Sequence, residues 1–193
     1  MSLRADSGAA AIRVDWLDPG SLRDGLDGRL GMTILPGKHG ESARYPGRVY
    51  RRELDRDLVD LATVGVRRLV LLVDDGELAR WGDARIVEQA AERGITVDRW
   101  PMPDGHPPAS IADAKSILAS IAAARERGDV AVACMGGVGR TGTVVACALV
   151  AAGWEAADAI GEVRRLRHAT AIETPAQEAF VQDFARVVAP RTA

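Results

Sequence analysis

The chain has 193 residues, 47% of them apolar, and a formal charge of −2 at neutral pH with acidic and basic residues interspersed. That is the length of one ordinary domain with a core of useful size, and the near-balanced charge excludes the basic field that a nucleic-acid or membrane-surface partner calls for. With only Cys134 and Cys147 available, a disulfide scaffold is not needed at this length, and a reducing, cytoplasmic setting with free thiols is the simpler reading.

Residues 1–11 lack an apolar core of signal-peptide length and read as a flexible start, with one folded domain expected over 12–190. IRVDWL (12–17) and LGMTIL (30–35) are β-like runs separated by the turn-rich DPGSLRDGLDG, an antiparallel lead-in. From Glu53 the period changes: Leu54, Leu58, Leu61 and Ala62 share a helical face, and Gly65 stops it. RRLVLLV (67–73) is apolar without alternation, as a strand buried on both faces must be. The unit then recurs: a helical stretch over 83–93 closed by Gly94, a strand over 95–102, a helix over 110–127 closed by Gly128, and a strand over 129–135. This order predicts an α/β fold: one three-layer domain, a mainly parallel central sheet with helices on both faces. Three apolar-periodic stretches near 140–152, 155–167 and 174–188 make the C-terminal third helical. The most apolar run, 144–152, is too short to cross a bilayer.

The last strand runs into Cys134-Met135-Gly136-Gly137-Val138-Gly139-Arg140-Thr141-Gly142, which opens a helix. This C-x-x-G-x-G-R-T-G segment resembles the signature loop of the protein-tyrosine and dual-specificity phosphatases. Glycines at 136, 137 and 139 let backbone N–H groups of Met135 to Gly139 converge into an anion nest, and the helix start adds its positive end. Cys134 at the rim of that nest meets the surroundings that turn a thiol into a nucleophile. Arg140, six residues on, presents a planar fork that grips two phosphate oxygens, which a lysine does not match. Thr141 is placed to donate its hydroxyl to the Cys134 sulfur and improve it as a leaving group. An ATP-binding loop is excluded, because Arg140 stands where a Gly-Lys pair is required. A rhodanese or arsenate-reductase loop shares the Cys and Arg but explains neither Thr141-Gly142 nor a remote acid.

A phosphate ester also needs a proton for its leaving oxygen, and the loop contains no acid. WPMPDGHPP (100–108) follows the preceding parallel strand, so Asp104 is expected at the same sheet edge as Cys134, on a loop able to close, with His106 in that lid. The order LVDDGEL, WPMPDGHPP, CMGGVGRTG, IETPAQEAF over roughly 30–188 is similar to the kinase-associated phosphatase branch of the dual-specificity phosphatases. That resemblance implies a phosphocysteine mechanism, a phosphorylated protein substrate and no cofactor or metal. It makes Asp104 the general acid, and it makes Gln177, an ordinary surface residue of a helix start by its pattern alone, a residue that helps place water. The histidine usual before the nucleophile is Ala133 here. A pseudophosphatase that binds phosphate esters without turnover, and a phosphatase of small-molecule or inositol phosphates, are the alternatives.

Weaker features complete the reading. Asp74, Asp75 and Glu77 cap a helix or rim the cleft. Arg44, Tyr45, Arg48, Arg51 and Arg52 form a basic segment that steers a phosphorylated substrate or is a solvated loop. Cys147 belongs to a core helix face, and His39, His106 and His168 are too scattered for a metal site.

Overall fold

In the computed structural model, which describes residues 10–42 and 47–188, β1 (Asp15–Trp16) pairs antiparallel with β2 (Leu30–Ile34), the expected lead-in. Residues 1–9, most of the expected flexible start, and Arg44 and Tyr45 of the basic segment lie outside the described residues. A hairpin of β3 (His39–Glu41) and β4 (Val49–Arg51) follows, forming a separate two-stranded sheet. It was not legible in sequence, because three-residue strands carry too little alternation to register.

Helix α1 (Leu54–Thr63) buries Leu54, Leu58 and Leu61, the face read from periodicity. After β5 (Val66–Leu71), the helical stretch expected over 83–93 is α3 (Ile86–Glu92), and a further short helix, α2 (Asp75–Trp81), precedes it. Gly82 ends α2, and the Asp83 carboxylate accepts from the Arg85 N–H at 2.9 Å, so the chain turns before the next helix starts. The α2 start is a capping box: Asp74 accepts from the Glu77 N–H at 2.7 Å and Glu77 accepts from the Asp74 N–H at 3.2 Å. Strand β6 (Thr96–Arg99) is shorter than its apolar run, although the Trp100 and Met102 N–H groups still donate to Leu71 and Leu72. Then come α4 (Ile111–Arg125), capped by Ser110, and β7 (Asp129–Cys134). The helical C-terminal third is α5 (Gly139–Ala151), α6 (Ala156–Leu166) and α7 (Pro175–Val188).

The five-stranded sheet has the order β1-β2-β7-β5-β6, parallel except at β1. Side-chain alternation on its buried strands splits the core in two. Val130, Val132 and Cys134 face a cluster built with α4, α5, α6 and α7, while Ala131 and Ala133 face one built with α1, α2 and α3. Helix α5 is buried from Gly139 to Val150, which the apolar run from Val144 onward allows once helices cover it. The parallel order delivers the carboxyl ends of β2, β5, β6 and β7 to one edge, the place where ligands bind in such sheets. Among the described residues, no helix is long and apolar enough to cross a membrane.

Cys147 sits fully buried in α5, and burial alone pushes its thiol up to about 12. It is therefore neutral at physiological pH and sealed from reagents. In native protein at pH 8, iodoacetamide should leave the Cys147 peptide unmodified, with alkylation appearing only after unfolding in denaturant, as read by mass spectrometry.

Candidate active site

Cys134 is the last residue of β7, in register with Ile34 of β2, and lines a cleft of about 610 Å³ while remaining only 3% exposed. Met135, Gly136 and Val138 share that cleft with Asp104 and Glu77. Three βα loops supply these groups: the one after β7 brings Cys134 and the glycines, the one after β6 brings Asp104, and the one after β5 brings Glu77. The edge placement expected for Asp104 from the order of strands is the one observed.

Arg140 is 1% exposed, in the first turn of α5, and every neighbour that satisfies it comes from another loop. Its two terminal nitrogens reach Glu77 Oε2 and Oε1 at 2.6 and 2.7 Å, and one also donates to the Met102 carbonyl at 2.9 Å. The other donates to Asp104 Oδ1 at 2.9 Å. Burial opposes its charge, but the Glu77 hydrogen bonds and the charges of Cys134, Glu77 and Asp104 outweigh it, so its pKa is raised still further. Arg140 is a permanent cation within electrostatic reach of Cys134. Breaking a buried pair of this kind by removing the carboxylate typically costs about 3–5 kcal/mol. Sequence reasoning saw Glu77 only as a capping or rim residue; the capping box is real, but the same carboxylate also holds Arg140. The spacing of Asp74 and Glu77 signalled the box, whereas nothing local signalled the arginine.

Thr141 differs from expectation. Its hydroxyl is fully buried and makes no hydrogen bond, so the predicted bond to the Cys134 sulfur is absent; Thr143 instead bonds back to the Gly139 carbonyl at 2.9 Å. Arg140 Nε is likewise buried without a partner. Gln177 is also corrected: it is fully buried rather than on the surface. Its Oε1 accepts from the Glu173 and Thr174 N–H groups at 2.8 and 3.3 Å, and its Nε2 donates to the His106 carbonyl at 3.3 Å. Together with the Thr174 hydroxyl on the Gly105 carbonyl at 2.9 Å, this ties the Asp104 loop to the start of α7. His106 is exposed in that loop, as expected.

Within the basic segment, Arg52 is a structural residue, paired with Asp57 at 2.7 and 2.9 Å in a buried site, and Arg51 is exposed. Arg48 lines the cleft and stands 4.9 Å over the Tyr50 ring. Ala133 is buried in the α1–α3 cluster. No three His, Cys, Asp or Glu side chains among the described residues are grouped to hold a metal ion.

The loop between Cys134 and Arg140 is braced from outside. Arg167, at the end of α6, donates from Nε to the Gly137 carbonyl at 2.8 Å and from a terminal nitrogen to the Gly136 carbonyl at 3.0 Å. The Ile172 N–H donates to the Val138 carbonyl at 3.2 Å, and Ile172 accepts φ +62° to do so, an unusual conformation for a β-branched residue. Neither residue was singled out from sequence.

A parallel sheet that ends one strand in a cysteine, turns through glycines and returns an arginine on the next helix is the architecture of the cysteine-dependent phosphatases. Residues 48–181 match the family described as the Swiss Army Knife protein, DSP-PTPase phosphatase domain (PTP-SAK), and the chain belongs to that family, within the dual-specificity phosphatase superfamily. Cyclin-dependent kinase inhibitor 3 of Rattus norvegicus is similar at 27% identity, the match covering 93% of this chain and 82% of the relative. The crystal structure of kinase associated phosphatase with its catalytic cysteine substituted by serine superposes with a TM-score of 0.80 at 24% identity, covering 94% of this chain and 98% of that one. Tk-PTP in its active form gives a TM-score of 0.66 at 30% identity over 83% and 93% of the two chains. PTPMT1 in complex with PI(5)P gives 0.61 at 19% identity over 85% and 94%.

The three loop glycines have different reasons. Gly137 has φ +67°, and a Cβ there would collide with the Thr33 carbonyl and the Arg167 guanidinium; at Gly139 it would press on Glu173 and Gln177. At Gly136 it would meet only Val138 Cγ2 at 3.7 Å, an ordinary contact; of the three glycines expected to free the backbone, only Gly137 adopts a positive φ. Gly136→Ala should therefore keep the binding of inorganic tungstate, a phosphate-shaped oxyanion, within about threefold. Gly137→Ala should lose at least about tenfold, since displaced hydrogen bonds to an anion are worth about 1.5–3 kcal/mol; calorimetric titration compares the two.

Proposed function

We propose that this protein hydrolyses phosphate monoesters on protein side chains through a phosphocysteine intermediate, within one domain spanning residues 12–190. The observation that carries this reading is the convergence of Cys134, Arg140 and Asp104: the cysteine and the aspartate line one cleft, and Arg140, six residues past the cysteine, bonds directly to the aspartate. The Cys134 sulfur attacks phosphorus in line. The phosphorus–oxygen bond to the leaving group breaks, and the leaving oxygen takes the proton of Asp104. The amides of Met135 to Gly139 and the Arg140 fork hold the remaining oxygens as charge builds on them. Water then attacks phosphorus and passes its proton to Asp104, and the phosphorus–sulfur bond breaks to return the thiolate. The buried, unpartnered Arg140 Nε and Thr141 hydroxyl are donors suited to the phosphoryl group or the departing sulfur.

The two carboxylates on Arg140 suit different tasks. Glu77 is buried and keeps the guanidinium fixed, whereas the Asp104 side chain is 78% exposed, so water screens and can replace its half of the ion pair. Asp104 can exchange Arg140 for a leaving group at little cost. Gln177 would help place the hydrolytic water once its long bond to His106 is released. Free Cys134 and Cys147 fit a reducing, cytoplasmic location.

A phosphorylated protein is the substrate class we favour. The stretch between Cys134 and Arg140 carries no cation, and the cleft mixes Arg13, Lys38, Arg48, Arg52 and Arg167 with Glu41, Glu77, Asp104 and Glu173, which suits one phosphate rather than several. The names of the relatives, cyclin-dependent kinase inhibitor 3 and kinase associated phosphatase, connect them with kinases.

Cys134→Ser should abolish turnover of p-nitrophenyl phosphate while retaining tungstate binding. Asp104→Asn should lower kcat by about 10²–10⁴, and less for esters with better leaving groups. Near-parent activity of Cys134→Ser would falsify the mechanism. For the substrate class, kcat/KM on a panel of phosphopeptides should exceed that on inositol phosphates and phosphoinositides at one ionic strength. The reverse order would assign the cleft to the chemistry named for PTPMT1 in complex with PI(5)P.

A further inference from the structure

The signature loop here has alanine where a histidine would brace it, yet it is closed and its outer carbonyls are satisfied. We infer that Arg167, anchored by Asp15, is the positioning residue that turns the loop amides toward the oxyanion. This rests on the phosphatase reading of the same site.

In a trans peptide the carbonyl of one residue and the N–H of the next point in opposite directions, and the described chain contains no cis bond. Arg167 draws the carbonyls of Gly136 and Gly137 to one side, so the N–H groups of Gly137 and Val138 are sent to the other. The Ile172 N–H on the Val138 carbonyl does the same for the Gly139 N–H. Three successive donors are thereby aimed by three outer bonds, two of them from one side chain.

The fork is held on its far side as well. Arg167 donates to Asp15 Oδ2 at 2.7 Å, and the two side chains are 10% and 12% exposed. Asp15 lies in β1 and Arg167 at the end of α6, so the brace ties the first strand of the sheet to the loop across the whole chain. A planar guanidinium reaches two carbonyls and a carboxylate in one plane; an ammonium has the charge without the fork. The Gly137 conformation complements it, because any Cβ at 137 would displace the guanidinium.

The test measures oxyanion affinity independently of turnover. Tungstate binding by calorimetry and steady-state kinetics on p-nitrophenyl phosphate are compared for the parent, Arg167→Met and Arg167→Lys, with folding checked by circular dichroism below the unfolding midpoint. Arg167→Met should bind tungstate about 10- to 100-fold more weakly, as expected for losing charge-assisted bonds that organise the site, with kcat/KM falling in parallel. Arg167→Lys should recover only part of both. A role confined to stability would lower the unfolding midpoint and leave tungstate affinity untouched in the folded protein. Parent-like affinity in folded Arg167→Met overturns the inference. If that variant does not fold, Arg167→Lys decides, and parent-like affinity there overturns it too. A parent that binds tungstate but turns over no ester defeats the phosphatase reading while leaving the role of Arg167 measurable; a parent that binds no tungstate defeats both.

Discussion

A peptide group cannot present its N–H to a ligand without presenting a carbonyl the opposite way, and the site of this protein is organised around that constraint. The loop from Met135 to Gly139 is short and sits where the buried end of β7 meets the buried start of α5, so its outward carbonyls need specific partners. Arg167 and the Ile172 backbone supply them. The unusual backbone at Ile172 and the compulsory glycine at 137 are local costs of that arrangement.

The second constraint is the charge of Arg140. A guanidinium at 1% exposure is tolerable only with carboxylates around it, and the fold provides two in unequal settings. Glu77 comes from the capping box of α2, so its own conformation is fixed by the Asp74 backbone before it meets the arginine. Asp104 comes from an exposed loop tethered through Gly105 and His106 to Thr174 and Gln177. One carboxylate is therefore buried and the other exposed, and the division follows from where the parallel sheet places its βα connections. The same geometry accounts for Gln177, which links the Asp104 loop to residues packed against Gly139.

Much of this was readable from the chain alone. The apolar runs at 67–73 and 129–135, which contain β5 and β7, lack alternation, and that by itself calls for strands covered on both faces. The spacing of Cys134, the glycines and Arg140 names a strand-to-helix anion loop, and Asp104 follows from the rule that parallel strands end at one edge. These features are local, or depend only on strand direction, so sequence by itself determined the fold class, the loop and the candidate cysteine, arginine and acid. What tertiary structure decided is which distant groups complete them. Glu77 could be read as a cap but not as the partner of Arg140, 63 positions away. Arg167 carried no signal of its own, and Gln177 read by its pattern as a surface residue of a helix start. The Thr141 hydroxyl, expected on the sulfur, is buried without a hydrogen-bond partner in this structure, and residue order alone does not say what it meets. Ion pairs and carbonyl braces between remote segments depend on side-chain reach after the layers have packed, and no periodicity or spacing along the chain encodes that.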